Sequence, residues 1–104
     1  ELINLGLLDK ADIQNESKES PAYKKYFMHG TSHHLGLDTH DYGLLENPME
    51  ENMVFTVEPG IYLPDEGFGV RIEDDVVIQA KGDPLNLMQD IPIEIEEIEE
   101  LMNN

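Results

Sequence analysis

Met53-Val54-Phe55-Thr56-Val57-Glu58-Pro59-Gly60 and Phe68-Gly69-Val70-Arg71-Ile72-Glu73-Asp74-Asp75-Val76-Val77-Ile78 are the two stretches whose reading decides the fold of this chain. The first is a β-branched and aromatic run stopped by a Pro-Gly turn. The second ends before Lys81-Gly82-Asp83-Pro84, so both read as strands, with Ile61-Tyr62-Leu63 as a further short one. A connection of about ten residues favours antiparallel neighbours over a parallel crossover. Side chains alternate along a strand, so Met53, Phe55 and Val57 share one face and Glu58 points opposite to Val57. In the second run Arg71 and Glu73 share a face, with Val70 and Ile72 on the other. Glu58 and Glu73 are therefore expected side by side in otherwise apolar sequence. Two like charges on neighbouring strands repel, and part-buried carboxylates are costly without a partner. A positive group belongs between them: Arg71, a metal ion, or both.

Upstream, residues 27–43 carry neither helical nor strand periodicity. All four histidines of the chain fall here, His29, His33, His34 and His40, with glycines at 30, 36 and 43. This composition reads as a loop that lets backbone or ligand approach closely. Carboxylates plus neutral imidazole form a ligand set of intermediate hardness that suits Mn, Fe, Co or Zn. His29 and His33 are four apart, but Gly30 and Gly36 argue against a regular helix, and no His-Glu-x-x-His pattern is present. Spacing alone leaves open which histidine binds metal.

At the flanks the signals are plainer. Glu1 to Leu8 places Leu2, Leu5 and Leu8 three apart without a capping residue, which predicts an uncapped helix, as at the cut end of a longer chain. Residues 9–21 are polar and read as a loop or an irregular helical turn, and Pro21 is placed to start a short helix through Tyr26. Residues 91–102 predict a helix with Ile95, Ile98 and Leu101 as its apolar stripe and glutamates in its first turns, a solvated face with no function assigned. The chain has 104 residues, room for one domain, and 6 Lys and Arg against 23 Asp and Glu, a net charge of −17. Such a polyanion repels nucleic acid and anionic membrane surfaces. The lack of cysteine excludes a disulfide scaffold, a thiolate metal site and a cysteine nucleophile, and it fits a reducing cytoplasm. No run approaches the roughly 20 apolar residues of a membrane span.

His29-Gly30-Thr31-Ser32-His33-His34-Leu35-Gly36-Leu37-Asp38-Thr39-His40-Asp41 resembles the histidine motif of the Xaa-Pro aminopeptidases (aminopeptidase P). Thr56-Val57-Glu58-Pro59-Gly60-Ile61-Tyr62 resembles that family's first glutamate motif, and Gly69-Val70-Arg71-Ile72-Glu73-Asp74-Asp75 its second. The three stand in the family's order over about half of the chain. The wider group has the pita-bread fold and includes prolidases, methionyl aminopeptidases and creatinases. Ser32 before His33 favours aminopeptidase P, since prolidases usually carry glycine there.

The resemblance implies an α+β fold, the C-terminal half of a pita-bread domain, with a curved antiparallel sheet flanked by helices. Residues 1–104 would then be the C-terminal part of a metallopeptidase catalytic domain. It implies two divalent metal ions, usually Mn²⁺, with Zn²⁺, Co²⁺ or Fe²⁺ as other candidates. His33 and Glu58 would bind one ion and Glu73 would bridge both. Two further aspartate ligands come from upstream strands in the family; Asp9 and Asp12 are the only aspartates before the histidine motif, too close together and too polar in setting to serve. The site is thus expected to be incomplete, and the chain by itself inactive. The implied reaction is hydrolysis of the bond preceding proline by a hydroxide held between the ions. Glu58 would shuttle the proton, while His40 and His29 donate hydrogen bonds to substrate or tetrahedral intermediate. Arg71 would orient the Glu73 carboxylate. His34 would form a flat pocket wall, Asp38 and Asp41 would cap loops, and Tyr62 would pack. The implied partners are peptides with an Xaa-Pro N-terminus and, because half a domain leaves strand edges and apolar surface uncovered, further copies of the chain. A prolidase, which cleaves only dipeptides, and a pita-bread binding module that has lost its metals are the alternatives. The presence of His33, Glu58 and Glu73 speaks against the second.

Overall fold

The structure is a computed structural model that describes residues 1–104. In chain order its elements are α1 (Lys10–Gln14), a 3₁₀ turn (Ala22–Lys25), β1 (Val54–Val57), β2 (Gly60–Leu63), a second 3₁₀ turn (Pro64–Glu66), β3 (Phe68–Arg71), β4 (Asp74–Val77), β5 (Leu85–Asn86) and α2 (Ile95–Met102). They fall into two compact units, Glu1–Gly30 with Pro59–Arg71, and Thr31–Glu58 with Ile72–Asn104.

The second unit is built on a three-stranded antiparallel sheet in the order β1-β4-β5. The β1–β4 register runs from Val54 opposite Val77 to Val57 opposite Asp74. Carried one residue further, it sets Glu58 against Glu73. On its other side β1 is bonded to residues 31–35. The Leu35 N–H donates to the Val54 carbonyl at 3.1 Å, the Thr56 N–H to the His33 carbonyl at 3.0 Å, and the Glu58 N–H to the Thr31 carbonyl at 2.8 Å. An antiparallel bridge joins His34 to Phe55. The segment that reads as loop thus runs beside β1, where the bonds of a neighbouring strand override its lack of periodicity. Flanked on both sides, β1 holds the core of this unit: Phe55 is 5 % exposed and Thr56 1 %.

The same packing makes a glycine obligatory. A Cβ at Gly43 would collide with the His34 ring, which itself lies against Phe55 with ring centroids 4.4 Å apart. Gly43→Ala is expected to destabilise the full-length protein by about 1–3 kcal/mol through this overpacking, measured as a drop in thermal midpoint. An unchanged midpoint would contradict it.

In the first unit β2 and β3 form an antiparallel hairpin, with Gly60 opposite Arg71 and Leu63 opposite Phe68. The Pro64–Glu66 turn closes at Gly67, whose φ of 75° is the left-handed conformation glycine adopts without penalty. The Tyr62 N–H donates to the Tyr26 carbonyl at 2.9 Å, which fastens the histidine-bearing N-terminal stretch to β2. α1 begins at a reciprocal capping box, in which the Asp12 N–H donates to Asp9 Oδ1 and the Asp9 N–H to Asp12 Oδ2, each at 2.8 Å.

Three further expectations change. Residues 68–78 are not one strand: β3 pairs with β2 and β4 with β1, so the ladder breaks at Ile72–Glu73, where the chain passes from one sheet to the other. Residues 1–8 form turns rather than a helix. They lack a cap, and Gly6 sits at φ 72°, outside the helical region. The last helix starts at Ile95 rather than Ile91, since the residue before Pro92 is disfavoured in helical conformation and Glu94 is still extended. Its stripe residues Ile95, Ile98 and Leu101 are exposed.

Candidate metal centre

His33 and Glu58 meet because residues 31–35 run antiparallel to β1. Alternation then puts His33, Thr56 and Glu58 on one side of the sheet and His34 with Phe55 on the other. His33 Nε2 lies 3.1 Å from Glu58 Oε1, the two side chains being 23 % and 14 % exposed. Glu73, on the residue opposite Glu58 in the extended register, completes a group whose ligand atoms all lie within 4.8 Å of one another.

His33 is also held at its other ring nitrogen. Nδ1 is 2.9 Å from the His34 carbonyl. A carbonyl only accepts, so Nδ1 carries a hydrogen, and Nε2 is the ring atom turned to Glu58 and able to serve as a metal ligand. Nε2 and Glu58 Oε1 stand 3.1 Å apart, a pair that a shared proton or a metal ion would satisfy. One imidazole and two carboxylates suit a divalent transition ion, and a cation relieves the repulsion between Glu58 and Glu73. The donor set fits a metal.

His40 stands beside this group, its ring centroid 4.4 Å from that of His33. The loop carrying it is held by Asp41, whose carboxylate accepts the Leu37 N–H at 3.1 Å and the Tyr42 N–H at 2.9 Å, while the Asp41 N–H donates to the His34 carbonyl at 3.0 Å. Asp41 is therefore a loop-capping residue, as its composition suggests. His34 faces a groove with Phe55, Met53, Leu44 and Leu45.

His29 and Arg71 belong to the other unit. His29 Nδ1 lies 2.7 Å from the Gly30 carbonyl, so its hydrogen is on Nδ1, and Nε2 accepts the Tyr62 O–H at 2.7 Å. Phe27 and Tyr62 pack against the ring, with centroids 5.0 and 5.3 Å away. Tyr62 is thus more than packing: it holds a histidine. Arg71 closes β3 opposite Gly60.

One residue of the centre escapes the sequence reading. Thr56 Oγ1 accepts the His33 N–H at 3.1 Å and donates to Glu58 Oε1 at 3.2 Å. The signal was available: a hydroxyl two residues before a glutamate, on the same strand face, in an otherwise apolar run.

Residues 7–80 match the model of metallopeptidase family M24. The Xaa-Pro aminopeptidase of Haemophilus influenzae is 41% identical over 98% of this chain and 26% of its own length. That of Escherichia coli is 44% identical over 97% of this chain and 25% of its own length. The structure of Pseudomonas aeruginosa aminopeptidase PepP superposes with a TM-score of 0.80 at 40% identity, over 98% of this chain and 26% of that one. The chain spans about a quarter of the length of these relatives. Its α+β architecture of small antiparallel sheets with few helices matches the Pseudomonas aeruginosa structure. No helix is long and apolar enough to cross a membrane. With its motif-bearing residues matched and a His-Glu-Glu donor group assembled on one sheet, the chain belongs to metallopeptidase family M24.

Proposed function

We propose that the protein containing this chain is an Xaa-Pro aminopeptidase, which hydrolyses the N-terminal residue from peptides with proline in second position. The convergence of His33, Glu58 and Glu73 within 4.8 Å carries this reading, and the relatives named Xaa-Pro aminopeptidase supply the substrate class. In this reading residues 1–104 are the C-terminal part of the catalytic domain. His33 and Glu58 would hold one divalent ion and Glu73 would be shared with a second, Mn²⁺ being the metal we favour. When bound, the pair of ions supplies an activated water and polarises the scissile carbonyl. Glu58 takes the proton from the attacking water and passes it to the departing proline nitrogen as the C–N bond breaks. His40, exposed beside His33, donates a hydrogen bond to the carbonyl oxygen as charge develops there. His29 is assigned the same role. Arg71 orients Glu73. We place the protein in the cytoplasm, whose reducing conditions suit a chain without cysteine, and expect it to form homo-oligomers.

Two aspartate ligands remain to be supplied from outside the chain, since Asp9 and Asp12 are spent on each other's backbone N–H groups in the α1 cap. The 104-residue chain with Mn²⁺ and an Xaa-Pro tripeptide is therefore expected to show no turnover above buffer, whereas the full-length protein hydrolyses it. Turnover by the chain alone would overturn the account of missing ligands. Hydrolysis of an Xaa-Pro dipeptide but not of the tripeptide by the full-length protein would make it a prolidase instead.

A further inference from the structure

We propose that Thr56 is a positioning residue for the metal centre, setting through one hydroxyl both the carboxylate of Glu58 and the backbone of His33. The inference rests on the metal-site reading above. Thr56 is 1 % exposed, the most deeply buried polar residue of the chain. A hydroxyl has one hydrogen to give and lone pairs to accept with, and here both capacities are used on the same pair of ligands. The lone pair takes the His33 N–H at 3.1 Å, and the hydrogen goes to Glu58 Oε1 at 3.2 Å.

The direction of that second bond is the informative part. Glu58 Oε1 is the oxygen that faces His33 Nε2 at 3.1 Å, so the hydroxyl grips the atom that shares the ligand position with the imidazole. A carboxylate rotates freely about its last bond. A donor fixed in a buried strand removes that freedom before a metal ion arrives, so less ordering is left to be done on binding. Because the hydroxyl also accepts from the His33 N–H, the spacing between histidine and glutamate is set by a single atom. His33 is fixed independently at its other ring nitrogen by the His34 carbonyl at 2.9 Å. Thr56 thus supplies for the carboxylate what the carbonyl supplies for the imidazole. Serine can make the same two bonds; valine matches the shape of threonine and makes neither.

The test is a calorimetric titration of the full-length protein with Mn²⁺ alone, on wild type, Thr56→Val, Thr56→Ala and Thr56→Ser, with circular dichroism to verify folding. Thr56→Val is expected to weaken Mn²⁺ binding about 10- to 100-fold, and Thr56→Ser to restore it to within a few-fold of wild type. Thr56→Ala gives the same comparison where valine does not fold. In a Glu58→Ala background, removing the hydroxyl is expected to have little further effect, because the group it acts through is gone. The proposal is overturned if the hydroxyl-free variants bind Mn²⁺ as wild type does, if serine binds as poorly as valine, or if the two losses simply add. A wild-type protein that binds no Mn²⁺ would instead sink the metal-site reading.

Discussion

Glu58→Gln in the full-length protein is expected to lower kcat for an Xaa-Pro tripeptide by about 10²–10⁴-fold, the range spanned by loss of a general acid–base group. This corresponds to about 3–5 kcal/mol of transition-state stabilisation. Glutamine keeps the size of glutamate and can still accept the Thr56 hydroxyl bond, which wild-type Glu58 receives at 3.2 Å. What it loses is the negative charge and the ability to carry a proton. Both losses fall on the position that faces His33 at 3.1 Å. Metal affinity should fall in the same variant, because an amide oxygen is a weaker ligand for a divalent ion than a carboxylate. Steady-state kinetics at saturating Mn²⁺ separates the two effects: added metal restores whatever part of the loss is affinity, and the remainder is proton transfer. Glu97→Gln, on the solvated face of α2, is the control and should leave kcat unchanged. A Glu58→Gln protein within tenfold of wild type would remove Glu58 from the chemistry.

The 104-residue chain on its own is expected to self-associate. Many of its large apolar side chains are exposed. Phe68 and Val70 on β3 stand open, as do Ile95, Ile98 and Leu101 on α2, and a groove of about 610 Å³ runs past Phe55, Leu44 and Leu45. Apolar area left in water contributes about 25 cal/mol per Å² to any contact that covers it, and the open edges of the short sheets offer backbone groups to a second chain. The charge of −17 opposes association at low salt, so it should tighten as salt screens the repulsion. Sedimentation velocity at high concentration and at two ionic strengths checks this. A clean monomer at both would count against it.

Local chemistry was legible wherever it depended on neighbours in sequence. The β1 strand, the Pro21 turn and the helical stripe at the C-terminus follow from alternation, proline geometry and 3.6-residue spacing. Glu58 and Glu73 could be set side by side because an antiparallel pair needs only a short connection. What was misread involved competition between partners. Residues 68–78 look like one strand because every residue suits a strand, yet the chain divides them between β2 and β1, and periodicity does not report which neighbour a strand chooses. Residues 31–35 look like loop because glycine and histidine dilute any pattern, yet β1 has an open side and takes them. Helix 1–8 did not form because spacing without a cap leaves N–H groups unpaired and Gly6 turns the backbone away.

By itself the sequence determined the residue types of the centre, their order and the family they resemble, since motifs are local and chemistry is carried by side-chain type. It left open which histidine the glutamates would meet. That was decided only in three dimensions, where the antiparallel bridge of His34 to Phe55 turns His33 to the side of Thr56 and Glu58 and His34 to the opposite side. A shift of one residue would exchange the two, because side chains alternate across a strand. The register of a neighbouring strand is set by backbone hydrogen bonds and by what packs against Phe55, and neither is written in the spacing of the histidines.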